Sequence, residues 1–204
     1  AGAKKKVLDD LQAAAKAAGL IPEAVVPGLT GPANAFESAQ PNVFVQGPVA
    51  LVDIGFKSSS ISLLLSGEPI LHRVVNVGGE RLTSGVAEAL GVSYAEAEGI
   101  KLGLADEVQS TMVALLAPLG RELRASIDFF EHQQDRTVAQ VYVSGGSARS
   151  DHILETLQTE LMVPCVRWNP MQSFSLGLPA NQGSDLEACG PQLAVAVGTA
   201  LAVL

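Results

Sequence analysis

The sequence predicts an α/β fold in which helices flank the faces of a mixed β-sheet. The apolar run of residues 49–52 has no polar interruption, which is typical of a strand buried on both faces. Two more β-rich runs follow it, and the turn signal of residues 66–68 separates them. Beyond residue 78, apolar residues recur at helical spacing, and two short β-rich runs interrupt them. This alternation predicts a sheet with helices on its faces.

Length, charge and composition exclude several classes of protein. The chain has 204 residues, a formal net charge of −8 and 48% hydrophobic residues, which suits one or two folded domains and excludes a disordered chain. Acidic residues outnumber basic ones by 21 to 13, which argues against nucleic acid or an anionic membrane surface as the main partner. Cys165 and Cys189 lack the spacing of a zinc site, so we expect reduced thiols in a cytoplasmic protein.

The two ends of the chain are predicted to be helical. Residues 4–18 are strong helix formers, and Gly19 ends this helix. No segment precedes this helix for it to pack against, so we expect the sequence to be a piece of a longer chain. Residues 188–204 carry no charge but fall short of the ~20 residues that cross a bilayer, which predicts a buried helix and no direct membrane insertion. Between residue 19 and the sheet we expect a short strand over residues 25–30, a short helix over residues 32–38 and a turn-rich connector over residues 40–48.

The central part of the chain divides into a meander and a helical region. Residues 49–77 are predicted to form three antiparallel strands. Residues 93–96 have the capping-box pattern, which predicts a short helix ending near Gly103. Residues 108–130 form one apolar helical stripe, in which Pro118 predicts a kink or two abutting helices. The other predictions are a helix after residue 79, strands over residues 138–144 and 163–166, a helix over residues 153–161, a loop over residues 169–186 and a closing helix over residues 191–204.

The first candidate site follows the first predicted strand. Asp53 ends this strand, and Gly55 leads into a hydroxyl-rich turn that contains Ser58 and Ser59. Glycine lets the backbone approach a ligand, and turn N–H groups with Ser hydroxyls can hold phosphate oxygens. Because a carboxylate repels phosphate, Asp53 would instead hold Mg²⁺ through water. A plain β-hairpin with a polar turn is the alternative, and the local pattern leaves both interpretations open.

Two further patterns are typical of nucleotide contacts. Gly145, Gly146 and Ser147 join a predicted strand to a helix, and a helix N-terminus behind glycines suits a phosphate or a nucleotide face. An ordinary strand-to-helix turn is the alternative. Glu98 and Lys101 lie at i and i+3 on a predicted helix, where they could clamp ribose hydroxyls and lie along an adenine ring. The alternative is a surface ion pair of little energetic consequence.

The order of these patterns resembles the second half of the actin-like (ribonuclease H-like) ATPase fold, shared by actin, heat-shock chaperones, sugar kinases and the division protein FtsA. Within that superfamily, the sequence is similar to the type IV pilus assembly protein PilM family over nearly the whole chain from Val7. The motifs that carry the likeness are Val52-Asp53-Ile54-Gly55, Arg73, Val77-Gly78-Gly79-Glu80-Arg81-Leu82-Thr83, Ala95-Glu96-Ala97-Glu98-Gly99-Ile100-Lys101, Leu123-Arg124-Ala125-Ser126-Ile127-Asp128-Phe129-Phe130, Val143-Ser144-Gly145-Gly146-Ser147-Ala148 and residues 191–202.

The resemblance implies a cytoplasmic protein at the inner-membrane base of a pilus machine. It implies that the protein binds ATP with magnesium and the short cytoplasmic tail of the membrane protein PilN; self-association also fits. Gly198 would be the small residue that lets the last helix approach the neighbouring domain, with helix packing as the alternative. The residues that match nucleotide contacts are Asp53, Gly55, Ser58 and Ser59 in the second phosphate loop, Glu98 and Lys101 at ribose and adenine, and Gly145, Gly146 and Ser147 in the adenosine loop.

The likeness also predicts a domain division and a mode of action. Residues 1–48 would be the tail of a first actin-like domain with a linker, residues 49–187 the second, nucleotide-binding domain, and residues 188–204 a helix returning toward the first. The family's upstream half, with its first phosphate loop and water-positioning residue, has no counterpart in this sequence. We therefore expect a scaffold that uses nucleotide to set its shape and is at most a weak ATPase, with this stretch inactive alone. Alternatives are an active ATPase or sugar kinase, an FtsA-like filament protein and a GspL-like secretion component.

Overall fold

The computed structural model describes residues 3–103, 106–175, 177 and 180–204. Helices and strands alternate along them much as the sequence predicts. The elements in chain order are α1 (Lys5–Ala17), α2 (Gly31–Ala39), α3 (Pro41–Gln46), β1 (Pro48–Ile54), β2 (Ser59–Leu65), β3 (Glu68–Val75), α4 (Gly79–Leu90), α5 (Tyr94–Gly103), α6 (Asp106–Gln134), β4 (Val141–Ser144), α7 (Asp151–Leu161), β5 (Cys165–Arg167), α8 (Ala180–Cys189) and α9 (Ala194–Leu201).

The strands of the described ranges form a five-stranded sheet in the order β3-β2-β1-β4-β5. β1, β2 and β3 pair antiparallel, which confirms the predicted meander. β4 pairs parallel to β1, and β5 pairs parallel to β4. The sheet is therefore mixed, and β1 lies at its centre between an antiparallel and a parallel neighbour.

Helices cover both faces of the sheet, and β1 contributes side chains to both. Ala50, Val52 and Ile54 pack on the first face, in one core with α4, α6 and α7. Val49 and Leu51 pack on the second face, in a smaller core with α2, α3 and α9. Burial on both faces explains why this run contains no polar residue before Asp53.

A single helix, α6, runs through Pro118, so the predicted alternative of two abutting helices is wrong. Proline removes one backbone hydrogen bond from a helix. Burial of the apolar stripe on both sides of Pro118 holds the helix together across that loss. The stripe residues that are completely buried are Val108, Met112, Leu116, Leu119, Leu123, Ile127 and Phe130.

Several short segments differ from their predicted structure. The expected strand over residues 25–30 is wrong, because Pro27 introduces a 3₁₀ turn, Gly28–Thr30, that leads directly into α2. The expected connector over residues 40–48 contains α3, whose Phe44 is buried. The expected loop over residues 169–186 contains the start of α8. None of the helices in the described ranges combines the length and the apolarity that crossing a membrane requires.

The closing helix approaches α2 without side chains between the two backbones. A Cβ built on Gly198 would lie 1.7 Å from the Gly31 carbonyl oxygen, and one built on Gly31 would lie 2.7 Å from the Val195 carbonyl oxygen. Asn34 Nδ2 also donates a 3.0 Å hydrogen bond to the Gly198 carbonyl. Both glycines are therefore required by this close contact between α9 and α2.

Replacing Gly198 by alanine is expected to lower the free energy of unfolding by roughly 1–3 kcal/mol, because the new methyl overlaps the Gly31 carbonyl. Chemical denaturation measures this loss. Gly99→Ala is the matched control: its Cβ would meet no atom within 4 Å, and a helical alanine stabilises by roughly 0.5–1 kcal/mol over glycine. Equal denaturation midpoints for Gly198→Ala and the wild type would contradict the packing argument.

Candidate functional site

Parallel pairing of β1 with β4 brings the two candidate glycine-bearing segments to one edge of the sheet. Asp53 pairs with Ser144 in the strand register, and Ser144 Oγ donates a 2.9 Å hydrogen bond to Asp53 Oδ1. The first loop (residues 55–58) and the second loop (residues 145–147) follow these two positions directly. The carboxyl ends of neighbouring parallel strands are the usual place of ligand binding in open α/β sheets.

A cavity of about 400 Å³ opens beside the two loops. Small-molecule sites typically occupy roughly 300–1,000 Å³, so this volume suits a compact ligand. The lining residues are Gly55, Phe56, Gly79, Tyr94, Glu98, Lys101, Gly146, Ser147, Arg149, Ser150, Ile153 and Gln192. The sequence-predicted site residues in this lining are Gly55, Glu98, Lys101, Gly146 and Ser147, and those outside it are Asp53, Ser58, Ser59, Gly145 and Gly198.

The first loop is fixed by the N-terminus of α4. The backbone N–H groups of Gly79 and Glu80 donate to the carbonyls of Gly55 and Phe56, at 2.9 and 2.8 Å. The Gly55 N–H donates within the loop to the Ser58 carbonyl at 3.1 Å, so it is used inside the turn. Because helix N–H groups are otherwise unsatisfied at the first turn, this contact stabilises both the loop and the helix.

Ser59 supports the first loop from behind and does not face the cavity. Its side chain is 1% exposed, and its hydroxyl donates a 2.6 Å hydrogen bond to the Val77 carbonyl. The sequence pattern grouped Ser59 with Ser58 because both hydroxyls follow Gly55. Strand pairing separates them, since Ser59 is the first residue of β2 and pairs with Ile54, whereas Ser58 remains in the loop.

The second loop requires glycine at its first position. Gly145 has a φ of 95°, and a Cβ on it would lie 2.4 Å from the Ile54 carbonyl oxygen. Its N–H donates to the Pro191 carbonyl at 2.8 Å, which attaches the loop to the segment before α9. Gly146 differs: the nearest atom to a Cβ there would be Gln192 Cγ, at 3.9 Å. Gly145 therefore shapes the loop, while Gly146 faces the cavity.

Glu98 forms a hydrogen-bonded network with the buried residues Lys101 and Thr83. Lys101 is 7% exposed, and its Nζ donates to Glu98 Oε2 at 2.7 Å and to Thr83 Oγ1 at 2.9 Å. Burial raises the pKa of Glu98, but hydrogen bonds from Lys101 and Thr83 and the Lys101 charge outweigh it, so the net pKa lies below the ordinary value. The Lys101 half of the pair is buried, whereas 41% of the Glu98 side chain is exposed.

Asp53 lies in an environment that disfavours the charge of its carboxyl. Burial raises the pKa of its carboxyl, and the hydrogen bond from Ser144 opposes that shift only in part. A Cβ built on Gly55 would lie 3.9 Å from Asp53 Oδ2, so the carboxylate adjoins the first loop. Within the described ranges, no group of three or more His, Cys, Asp or Glu side chains could hold a metal ion. A cation at this position would be held by Asp53 together with oxygen atoms of a molecule bound in the cavity.

Sequence patterns did not identify four of the lining side chains, Tyr94, Arg149, Ser150 and Gln192. Tyr94 begins α5 inside the predicted capping box, which is confirmed: Ser93 N donates to Glu96 Oε2 at 2.9 Å. Arg149 ends the 3₁₀ turn that follows the second loop, and both it and Tyr94 are exposed at the cavity. The Ser150 hydroxyl is buried and has no hydrogen-bond partner in the described part of the chain. Of these four residues, Arg149 alone could have been suspected from the sequence, because it closely follows Gly145 and Gly146.

The sheet and its edge cavity define an actin-like fold. The chain superposes on the ethanolamine utilization protein EutJ from Carboxydothermus hydrogenoformans with a TM-score of 0.71 at 18% identity, covering 98% of this chain and 62% of that one. It superposes on MreB 5 of Spiroplasma citri bound to AMPPNP with a TM-score of 0.65 at 13% identity, covering 98% and 65%. These matches confirm the fold that the sequence motifs predict.

The family follows from two comparisons. The chain superposes on a structure of the PilM-PilN type IV pilus biogenesis complex with a TM-score of 0.82 at 24% identity, covering 98% of this chain and 58% of that one. The family model of the type IV pilus assembly protein PilM matches residues 1–203. The chain therefore belongs to the PilM family, and it spans less than two thirds of the length of these three solved structures.

The two glycines of the second loop should respond differently to alanine. Gly145→Ala is expected to destabilise the protein by about 1–3 kcal/mol, because alanine at this positive φ is strained and its methyl meets the Ile54 carbonyl. Gly146→Ala is the matched control and should leave the melting temperature nearly unchanged. Thermal denaturation of the two variants provides the measurement, and equal melting temperatures would show that the loop conformation is not required.

Proposed function

We propose that this chain is the nucleotide-binding part of an actin-fold scaffold for type IV pilus assembly, with ATP and Mg²⁺ at the cavity between the two loops. One observation carries the proposal. Two loops and the Glu98–Lys101 pair, far apart along the chain, line the same cavity. Membership of the PilM family supports the pilus context, and the AMPPNP bound by the MreB 5 relative supports a nucleotide as the ligand class.

The polar groups of the cavity fit a nucleotide. Ser150 lines the cavity, and its buried hydroxyl is one of the polar atoms without a partner among the described residues. An ammonium has three protons, and Lys101 uses two of them on Glu98 and Thr83, which leaves one for a ligand. Glu98 and Lys101 would bind the ribose, and the two loops would bind the phosphates. The exposed side chains of Tyr94 and Arg149 would flank the base.

Mg²⁺ would neutralise the charge of Asp53. The raised pKa of this carboxyl means that the folded protein disfavours its ionised form. A hydrated Mg²⁺ held between Asp53 and nucleotide phosphates would reverse that preference, because a cation stabilises the carboxylate. Asp53 would therefore act through water on the metal rather than on phosphate directly.

Hydrolysis is proposed to be weak or absent. A general base has to lie within hydrogen-bond reach of the attacking water and remain free to accept its proton. Among the described residues that line the cavity, the carboxylate is Glu98. Its Oε2 accepts from Lys101 and Thr83, and its other oxygen is proposed to bind the ribose rather than the attacking water. This arrangement favours a scaffold over an active ATPase or a sugar kinase.

The scaffold would bind the cytoplasmic tail of PilN and reach the inner membrane through that partner. The assembly named in the PilM-PilN structure supports this choice. We further propose that α1 belongs to another domain, as the resemblance implies, because it has no buried residue. α2 and α3 share a core with β1, which supports placing them with the sheet and moves the proposed boundary to before α2.

Asp53→Asn tests the proposed metal contact. Removing a buried charge should raise the free energy of unfolding at neutral pH when no nucleotide is bound. Because the folded-state pKa is raised, the wild type should lose stability as pH rises through that pKa, and the variant should not. Binding of Mg²⁺–ATP should weaken by roughly tenfold, about 1.4 kcal/mol. Calorimetry and denaturation at several pH values measure both effects.

Asp128→Asn is the matched control for this substitution. Asp128 is a half-exposed carboxylate on α6 that pairs with Arg124, outside the cavity lining. Its loss should leave Mg²⁺–ATP affinity unchanged. Unchanged Mg²⁺–ATP affinity in Asp53→Asn would remove Asp53 from the site.

The full-length protein should bind Mg²⁺–ATP and release inorganic phosphate slowly. After gel filtration, bound nucleotide should be recovered as ATP, because the lining carboxylate is proposed to bind the ribose rather than the attacking water. A synthetic PilN tail should bind with an affinity that differs between the ATP-bound and nucleotide-free states, as measured by calorimetry. Rapid steady-state phosphate release would favour an active ATPase, and the absence of nucleotide binding would overturn the proposed function.

A further inference from the structure

Thr83 is a buried polar residue at the junction of α4 and α5. It is completely buried, yet its hydroxyl contacts three polar groups: the Gly79 carbonyl at 2.9 Å, Lys101 Nζ at 2.9 Å and the Glu98 carboxylate. Thr83 does not line the cavity. Its polar contacts are therefore directed at the two side chains that do.

Counting protons shows how this hydroxyl is used. A threonine hydroxyl donates one hydrogen bond and accepts others. Lys101 can only donate, so Thr83 Oγ1 accepts from it, and the single Thr83 proton has Gly79 and Glu98 as competing acceptors. The Gly79 carbonyl lies one helical turn earlier, where the helix N–H already supplies a donor. The ionised Glu98 carboxylate is the stronger acceptor, so the proton belongs on it.

The same turn of α4 also fixes the first loop. Gly79 N donates to the Gly55 carbonyl, and a Cβ on Gly79 would lie 3.0 Å from Ser147 Oγ. Thr83 follows Gly79 by four residues, so it lies one turn further along the same helix. α4 therefore holds the first loop with its first turn and the pair Glu98–Lys101 with its second.

We propose that Thr83 is a positioning residue of the nucleotide site, fixing Glu98 and Lys101 in one arrangement relative to the first loop. This inference rests on the proposed nucleotide-binding function and extends it to a residue that no nucleotide would touch. Thr83 orients one oxygen of Glu98 through its proton and one proton of Lys101 through its lone pair. These hydrogen bonds restrict the Glu98 and Lys101 side chains to one arrangement. The other Glu98 oxygen and the remaining Lys101 proton then have fixed directions toward a bound ligand.

A purely structural role for Thr83 predicts a different outcome. Valine has nearly the same shape, so Thr83→Val keeps the packing while it removes the hydroxyl. If Thr83 only fills space between α4 and α5, this variant binds nucleotide like the wild type. If Thr83 positions Glu98, the variant loses the ability to distinguish ligands at the group that Glu98 binds, the ribose hydroxyls.

The test compares ATP with 2′-deoxy-ATP, both with Mg²⁺, on the full-length wild type, Thr83→Val and Thr83→Ser. The wild type should bind ATP more tightly than the deoxy analogue. Thr83→Val should weaken ATP binding by roughly three- to tenfold, the effect of losing one hydrogen bond, and bring the ratio of the two affinities close to one. Thr83→Ser keeps the hydroxyl and should restore both the affinity and the ratio.

Two further measurements separate positioning from misfolding. Adding Thr83→Val to Glu98→Gln should change the ATP to deoxy-ATP ratio no further, because the group that Thr83 orients is already altered. In the nucleotide-free protein, carbon NMR of Glu98 should report a higher carboxyl pKa in Thr83→Val, since one hydrogen bond that lowers it is gone. Serine should return that pKa toward the wild-type value.

The outcomes distinguish the two claims. ATP binding by the wild type together with an unaltered ribose preference in Thr83→Val would overturn the positioning role and leave the proposed function standing. A wild type that binds neither nucleotide would overturn both claims. A collapsed ratio with an unchanged Glu98 pKa would also overturn the mechanism, because the hydroxyl would then act through something other than Glu98.

Discussion

The parallel pairing of β1 with β4 is the contact on which the geometry of the cavity depends. It sets Asp53 opposite Ser144, and every residue of the two loops is positioned by counting forward from that pair. A strand shifted by one residue would turn its whole side-chain set to the other face. Because β1 is buried on both faces, such a slip would also expose core residues. The free energy of burying these apolar side chains therefore stabilises both the strand register and the geometry of the cavity.

Local signals in the sequence were sufficient for much of the fold. The uninterrupted apolar run predicted β1, the Ser93–Glu96 spacing predicted the start of α5, and the glycines after β4 marked the second loop. The errors have physical causes. α3 is a short helix without a strong local signal and is stabilised by burying Phe44, and α6 continues through Pro118 because its apolar stripe is buried. Thr83, Tyr94 and Ser150 could not be identified, because their importance arises only when distant helices meet.

The cavity concentrates groups that folding alone would not favour. Asp53 keeps a carboxylate where burial penalises its charge, and Ser150 keeps a hydroxyl without a described partner. Lys101 is buried but compensated by Glu98 and Thr83. Asp53 and Ser150 thus place two uncompensated polar groups in or beside the cavity, where a polar ligand would compensate them. His152 Nε2 and Trp168 Nε1, which belong to residues outside the cavity lining, are also buried without a partner in the described part of the chain.

A chain of direct backbone contacts leads from the cavity to the far side of the sheet. The Gly145 N–H binds the Pro191 carbonyl, and this segment continues into α9, where Gly198 lies against Gly31 of α2. Flexible side chains could absorb a displacement by changing rotamer, but no side chain separates the backbones at either contact. A displacement of the second loop would therefore act on the backbone before α9 and, through α9, on the backbone of α2, without passing through a side-chain contact.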